Sequence, residues 1–94
     1  MTYKLTFKEE ALKEWKKLDG GIRGQFKKKL KERLVSPVVE SNKLSGMKSC
    51  YKIKLRSSGF RLVYEVRDKE LVVSVVAVGK RERNSVYKAA VKRI

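Results

Sequence analysis

The chain has 94 residues, with 25 Lys and Arg against 10 Asp and Glu, and its formal net charge is +15. That length accommodates one domain, and so large a positive excess predicts a polyanionic partner, with nucleic acid ahead of an acidic protein or an anionic membrane surface. The sequence holds no His and a single cysteine, Cys50, so it excludes histidine acid–base catalysis and an internal disulfide, and we expect no metal or organic cofactor.

Hydrophobic periodicity predicts one strand and two helices in the first part of the chain. Apolar and polar residues alternate over residues 2–8, which is typical of a half-buried strand. Apolar residues then recur at helical spacing over 11–18 and again, at intervals of four, over 22–34. Because Asp19-Gly20-Gly21 interrupts the two amphipathic segments, we expect a helical hairpin with a tight break. Ser36-Pro37 ends the second helix, and a loop follows.

Three more strands are predicted in the second part. Residues 51–55, 60–66 and 71–78 alternate or are rich in β-branched residues. Turn signals at Ser57-Ser58-Gly59 and Asp68-Lys69 separate them. Strands joined by such short turns pair as an antiparallel meander.

The last segment opens with a basic run over residues 79–83, and Asn84 or Ser85 can cap a short C-terminal helix. The element order is therefore β-α-α-β-β-β-α, an α+β domain spanning residues 1–94. We expect an antiparallel sheet with the helical hairpin and the other helix covering one face. No apolar run approaches the roughly 18–20 residues of a membrane span, and no signal peptide is evident, so we expect a cytoplasmic protein with no membrane partner.

The predicted hairpin over residues 51–66 sorts its charges onto one face. With a two-residue loop at Ser58-Gly59, Arg56 lies opposite Arg61 and Lys52 lies opposite Glu65. A four-residue loop leaves the faces unchanged. Either register places the same four cations together, namely Lys52, Lys54, Arg56 and Arg61. This face is interpreted either as a phosphate-binding surface or as an ordinary solvated face.

Two segments carry a family resemblance. Residues 50–64, Cys-Tyr-Lys-Ile-Lys-Leu-Arg-Ser-Ser-Gly-Phe-Arg-Leu-Val-Tyr, closely resemble the RelE toxins, as do residues 78–87, Val-Gly-Lys-Arg-Glu-Arg-Asn-Ser-Val-Tyr. Residues 11–18 and 42–47 agree as well. The similarity covers nearly the whole chain, so the chain is identified by resemblance as a RelE-type toxin of the RelE/ParE superfamily.

The resemblance implies a function and a set of site residues. RelE toxins are ribosome-dependent endoribonucleases that cleave the mRNA codon in the ribosomal A site. A RelB-type antitoxin neutralises them and commonly carries the pair to operator DNA. The family's catalytic positions correspond here to Lys52, Lys54, Arg61, Arg81 and Tyr87. To these we add three cations for substrate binding, Arg56, Lys80 and Arg83. Arg81 and Tyr87 come from the resemblance alone, because the strand pattern does not place them.

Without His, the expected reaction is attack by the RNA 2′-hydroxyl on the adjacent phosphate. Lysine has an unperturbed pKa of ~10.4, which neighbouring cations lower. Lys54 is therefore the preferred base, and Lys52 is the alternative, although a cross-strand Glu65 would favour its charged form. Arg61 and Arg81 are expected to hold the phosphate oxygens, and Tyr87 to stack on a base.

Two other functions remain open on the sequence. A noncatalytic ribosome- or RNA-binding module explains the charge but does not require this particular set of cations. A ParE-type toxin, which inhibits DNA gyrase, shares the fold. The resemblance over residues 78–87 argues against the latter, because ParE proteins generally lack that arginine and tyrosine combination.

Overall fold

The computed structural model describes residues 2–80 and 85–94. Over these residues the chain forms, in order, β1 (Lys4–Phe7), α1 (Glu9–Lys16), α2 (Gly20–Val35), β2 (Cys50–Leu55), β3 (Phe60–Arg67), β4 (Val72–Lys80) and α3 (Ser85–Arg93). This order confirms the predicted α+β arrangement. The predicted loop after α2 contains a single 3-10 turn, Glu40–Asn42. No helix in the described ranges combines the length and apolarity needed to cross a membrane.

The four strands form one sheet in the order β1-β4-β3-β2. β2 pairs with β3, and β3 with β4, in antiparallel fashion, which confirms the meander. β1 pairs with β4 in parallel, with Lys4 opposite Val72 and Phe7 opposite Val75. The sheet therefore contains both parallel and antiparallel pairs. The meander places β4 beside β1, and the two strands run in the same direction.

The helical hairpin is confirmed, but its three-residue break lies two residues earlier in the chain than predicted. α1 ends at Lys16 and α2 begins at Gly20, so Gly20 and Gly21 form the first turn of α2 and only residues 17–19 connect the helices. Asp19 occupies the N-cap position with an extended backbone. Glycine is tolerated here because the first helical turn lacks most intrahelical partners in any case.

One face of the sheet and the helical hairpin enclose the larger core. Phe26 and Leu30 of α2 are fully buried against Ile53, Leu62 and Tyr64 of the sheet. The ring of Trp15 lies between those of Phe7 and Phe26, with centroid separations of 5.2 and 6.2 Å. Burial of these apolar side chains is what fixes the two helices to this face.

The expectation that all helices cover one face is wrong for α3. Val86 and Ala90 of α3 pack with Val63, Val76 and Ala77 in a second, smaller core. Val63 alternates with the buried Leu62 and Tyr64 and therefore faces the opposite side of the sheet. A register shift at Val63/Tyr64 inserts Val76 as an extra residue in β4 and widens this apolar patch. α3 consequently covers part of the face that carries the lysines.

Tyr64 joins the sheet to the segment after α2 through its buried hydroxyl. That hydroxyl donates to the Pro37 carbonyl oxygen at 2.7 Å and accepts from Arg33 Nη1 at 2.9 Å. Its ring stacks on Tyr51 with centroids 5.7 Å apart. Burial raises the pKa of Tyr64, so the hydroxyl remains a donor.

We expect Tyr64→Phe to lower the free energy of unfolding by about 1–3 kcal/mol, because it leaves the buried Pro37 oxygen without its donor. Urea denaturation measures the change. Tyr3→Phe is the matched control, since the Tyr3 hydroxyl donates to Asp68 at an exposed site where water can replace it. Equal losses in the two variants would contradict the assignment of a structural role to the buried hydroxyl.

Candidate active site

The β2–β3 hairpin closes with a four-residue turn. Leu55 lies opposite Phe60 and Lys54 opposite Arg61, so the two-residue loop that placed Arg56 opposite Arg61 is wrong and the four-residue alternative is confirmed. Gly59 donates its N–H to the Leu55 carbonyl at 2.8 Å and has a φ of +77°. This left-handed conformation favours glycine.

The cross-strand pair of Lys52 and Glu65 is also wrong. Lys52 lies opposite Val63, and Glu65 lies opposite Cys50. The Glu65 carboxylate instead pairs with Arg67, with Nε and Oε1 separated by 3.0 Å. The argument that Glu65 would favour charged Lys52 therefore loses its geometric basis.

Strand alternation places Lys52, Lys54 and Arg61 on one face, as predicted, with Arg56 in the adjoining turn. We call these four residues the cationic face. Among the residues described, none of the four forms an ion pair with a carboxylate. Their positive charge is thus available to an external anion, and phosphate is the anion that such a surface suits.

Lys54 has the environment expected for a lysine that acts as a general base. The charge of neighbouring Lys52 is the largest cause that lowers the Lys54 pKa, followed by partial desolvation and the charge of Arg61. Lys54 is exposed, so a substrate can reach it. A lowered pKa raises the fraction of neutral amine at neutral pH, which is the form that accepts a proton.

Tyr87 joins the cationic face from α3. Arg61 Nη1 donates to the Tyr87 hydroxyl at 3.1 Å, and the Arg61 guanidinium carbon lies 5.2 Å from the centroid of the ring. The ring is partly exposed. The structure therefore places Tyr87 beside Arg61. The alternation of residues along a strand does not predict this contact, because Tyr87 lies on a helix.

Gly79 is a positioning residue that sequence reasoning missed. It lies opposite Arg61 in the sheet, and a Cβ atom at this position would stand 3.2 Å from Val86 Cγ2. The absence of a side chain lets α3 approach β4 closely. A glycine within an otherwise Val-rich strand was the available signal, because such a glycine often marks close approach of another backbone.

Of the three other proposed site residues, the structure describes only Lys80. Lys80 lies opposite Phe60, whose ring packs on the side of the helical hairpin, so alternation directs Lys80 away from the cationic face. Arg81 and Arg83 lie outside the described residues.

Cys50 is fully buried beside the smaller core. Burial, followed by the charge of Glu65, raises the pKa of its thiol to about 11. The thiol is therefore protonated at neutral pH, and protonated thiols are poor nucleophiles. This agrees with an inert structural role.

We expect iodoacetamide to alkylate Cys50 at least ~100-fold more slowly in the folded protein than in urea at pH 8, since both burial and protonation suppress the reaction. Mass spectrometry over time measures the difference. A native rate near the unfolded rate would contradict the inert role.

The comparisons with known proteins identify a class and then a family. The model of the ParE toxin of type II toxin–antitoxin systems, parDE, matches residues 5–85. The chain is 64% identical over 94 residues to the mRNA interferase toxin RelE of Escherichia coli strain K12, covering 100% of this chain and 99% of that relative.

Solved structures agree. A mutant of E. coli toxin RelE in the free state superposes with a TM-score of 0.92 at 62% identity, covering 100% of this chain and 99% of that one. The toxin in the intact E. coli RelBE toxin–antitoxin complex gives a TM-score of 0.83 at 63% identity, covering 86% and 99%. The class is thus the toxins of type II toxin–antitoxin systems. Within that class, the chain belongs to the RelE family of the RelE/ParE superfamily.

Proposed function

We propose that this protein is an endoribonuclease that cleaves mRNA in the ribosomal A site and so inhibits translation. The observation that carries the proposal is the cationic face with Tyr87 against Arg61. The 64% identity to a protein named as an mRNA interferase supports it. A surface of phosphate-binding cations beside an aromatic ring suits an RNA backbone with one base displaced.

The reaction uses the RNA's own 2′-hydroxyl as nucleophile. Neutral Lys54 accepts the 2′-proton, the 2′-oxygen attacks the adjacent phosphorus, and the bond to the 5′-oxygen breaks. The products are a 2′,3′-cyclic phosphate and a 5′-oxyanion, which takes a proton from water to become a 5′-hydroxyl, while Lys54 returns its proton to solvent. Arg61 and Arg81 hold the phosphate oxygens as negative charge accumulates. Arg81 is assigned to the charge on the leaving oxygen, because arginine seldom gives up a proton.

The remaining residues bind and orient the RNA. Tyr87 stacks on a displaced base, and its bond with Arg61 keeps the ring beside the phosphate site. Arg56 and Arg83 attract the backbone on either side of the cleaved bond, whereas Lys80, which points to the other face of the sheet, is not assigned to it. The protein's own cations supply the positive charge that the reaction requires, so the proposed chemistry is independent of metal.

The ribosome is proposed as an essential partner. An exposed lysine is a weaker catalyst than a dedicated acid–base pair, so much of the acceleration must come from holding the 2′-oxygen in line with the scissile bond. Ribosome-bound mRNA meets that requirement, whereas free RNA samples the in-line geometry rarely. The protein therefore acts in the cytoplasm, where translation occurs.

A RelB-type antitoxin is proposed as the neutralising partner. Solved complexes of RelE relatives with RelB support this proposal. An acidic, partly disordered segment suits a chain of net charge +15. Operator DNA is contacted through the antitoxin.

Ribosomes that hold a defined mRNA and an empty A site test the proposal. Wild-type protein is compared with Arg81→Ala and with the control Arg67→Ala, which removes an arginine that pairs with Glu65 instead. We expect a cut within the A-site codon, with a cyclic phosphate end, that is lost in Arg81→Ala alone. Tight ribosome binding without a cut would overturn the proposal and leave a noncatalytic binding module.

Gyrase inhibition is the second candidate function, because the family model that matches this chain is that of the ParE toxin. A DNA supercoiling assay with purified gyrase distinguishes the two. Inhibition at stoichiometric protein, without mRNA cleavage, would favour the ParE-type activity.

A further inference from the structure

Arg93, in the last turn of α3, is held by groups from two other elements. Its Nη1 donates to Glu14 Oε1 at 2.7 Å and to the Val76 carbonyl at 2.9 Å, and its Nη2 donates to Glu14 Oε2 at 3.2 Å. Its Nε lies 2.8 Å from Glu10 Oε2. The side chain of Arg93 is 17% exposed and that of Glu14 is 32% exposed. A forked, partly buried contact of this kind is stronger than an exposed ion pair.

The same pair covers an open edge of the sheet. β1 pairs with β4 only as far as Val75, so within the described parts of the chain no strand neighbours the backbone of Val76–Val78 on that side. Glu14 Oε1 accepts the Val78 N–H at 3.1 Å, and Arg93 donates to the Val76 carbonyl. Backbone groups left without partners are costly when buried. Arg93 and Glu14 thus join α3, α1 and β4 at one point.

The opposite end of α3 lies at the candidate active site. Val86 packs over Gly79, and Tyr87 contacts Arg61. α3 has nine residues, and isolated helices this short are unstable in water, so tertiary contacts must hold it. Six residues separate Tyr87 from Arg93, which is ~9 Å along a helix. A contact at one end therefore restrains the other.

We propose that Arg93 and Glu14 are a positioning pair for RNA cleavage, holding α3 so that Tyr87 remains against Arg61. This inference rests on the proposed function. Neither residue touches the RNA. The guanidinium remains charged at all pH values of interest, because its hydrogen bond to Glu14 raises the pKa of Arg93.

Hydrogen exchange of the free protein tests the contact without any RNA. We expect Glu14→Gln and Arg93→Gln to speed exchange of the α3 amides by roughly tenfold or more, since local opening exposes them. Glu9→Gln and Lys92→Gln make the same charge changes at exposed positions of the same two helices and should leave exchange unchanged. Arg93→Lys should recover part of the protection. Equal exchange in all variants would overturn the proposal.

Single-turnover cleavage on ribosomes, with protein in excess, tests the consequence. We expect Arg93→Gln to lower the maximal rate by roughly tenfold, as a misplaced group does, while the half-saturating protein concentration changes little. In a Tyr87→Ala background, Arg93→Gln should have almost no further effect, because the residue through which it acts is gone.

The outcomes separate the two proposals. Cleavage by the wild type at a rate that Arg93→Gln and Glu14→Gln leave unchanged would overturn the positioning role alone. Additive losses with Tyr87→Ala, or a loss confined to ribosome affinity, would also overturn it. No cleavage by the wild type would contradict the proposed function and, with it, the role of the pair in cleavage.

Discussion

Lys54→Met is expected to lower the single-turnover rate of mRNA cleavage by ~10²–10⁴-fold at neutral pH, the usual contribution of a positioned general base. Methionine keeps most of the apolar stem but has no amine to take the 2′-proton. The side chain of Lys54 is exposed, so the fold should be unaffected. Lys69→Met, an equal change in the exposed turn after β3, is the control. A Lys54→Met rate within threefold of wild type would contradict the assignment.

The pH dependence of the rate identifies the base independently. Lys54 acts as the neutral amine, so the rate rises with pH until the Lys54 pKa is passed. The positive charge of Lys52 is the largest cause that lowers the Lys54 pKa. Lys52→Met removes that charge, so the Lys54 pKa should rise. The rising limb of the pH–rate profile should therefore move to higher pH, and the rate near neutrality should fall. At pH values above the limb, the rate should return toward that of the wild type.

The alternative base makes the opposite prediction. If Lys52 accepts the proton, Lys52→Met abolishes cleavage at every pH, and cleavage persists in Lys54→Met. One pair of profiles thus decides between the two lysines, whose positions two residues apart on β2 give them similar access to the same face.

Arg61→Met is expected to reduce cleavage by ~10²–10³-fold, the typical loss when one preorganised charge donor is removed. The variant loses a phosphate contact and also the donor to the Tyr87 hydroxyl. Arg61→Lys keeps the charge but not the planar fork, so it should recover only a small part of the rate.

Arg67, which also lies on β3, provides a matched control for the Arg61 variants. Arg67→Met removes an arginine from the far end of β3, where it pairs with Glu65 and Glu70. Its cleavage rate should stay within about threefold of wild type, since exposed ion pairs contribute little. Similar losses at the two positions would point to net charge rather than to a specific site, and would contradict the role given to Arg61.

The cationic face was predictable from the sequence because it depends only on local geometry. Side chains alternate along a strand, so Lys52 and Lys54 share a face whatever the register, and the apolar residues between them point to the core. Arg61 joins them under any even loop length. The loop length itself was not predictable, since the two-residue and four-residue turns leave the same faces apolar and both accept a glycine with positive φ at position 59.

The hairpin of α1 and α2 and the element order likewise follow from the sequence, because apolar spacing near 3.6 or 2 reports which face of each element is buried. The parallel pairing of β1 with β4 and the side of the sheet that α3 covers were decided by the tertiary structure. Both depend on contacts between residues far apart in the chain, such as Lys4 with Val72 and Tyr87 with Arg61. Periodicity carries no information about such contacts. The sequence by itself thus determined which charges the sheet presents, and the tertiary structure decided that Tyr87 meets them and that Arg93 and Glu14 hold its helix in place.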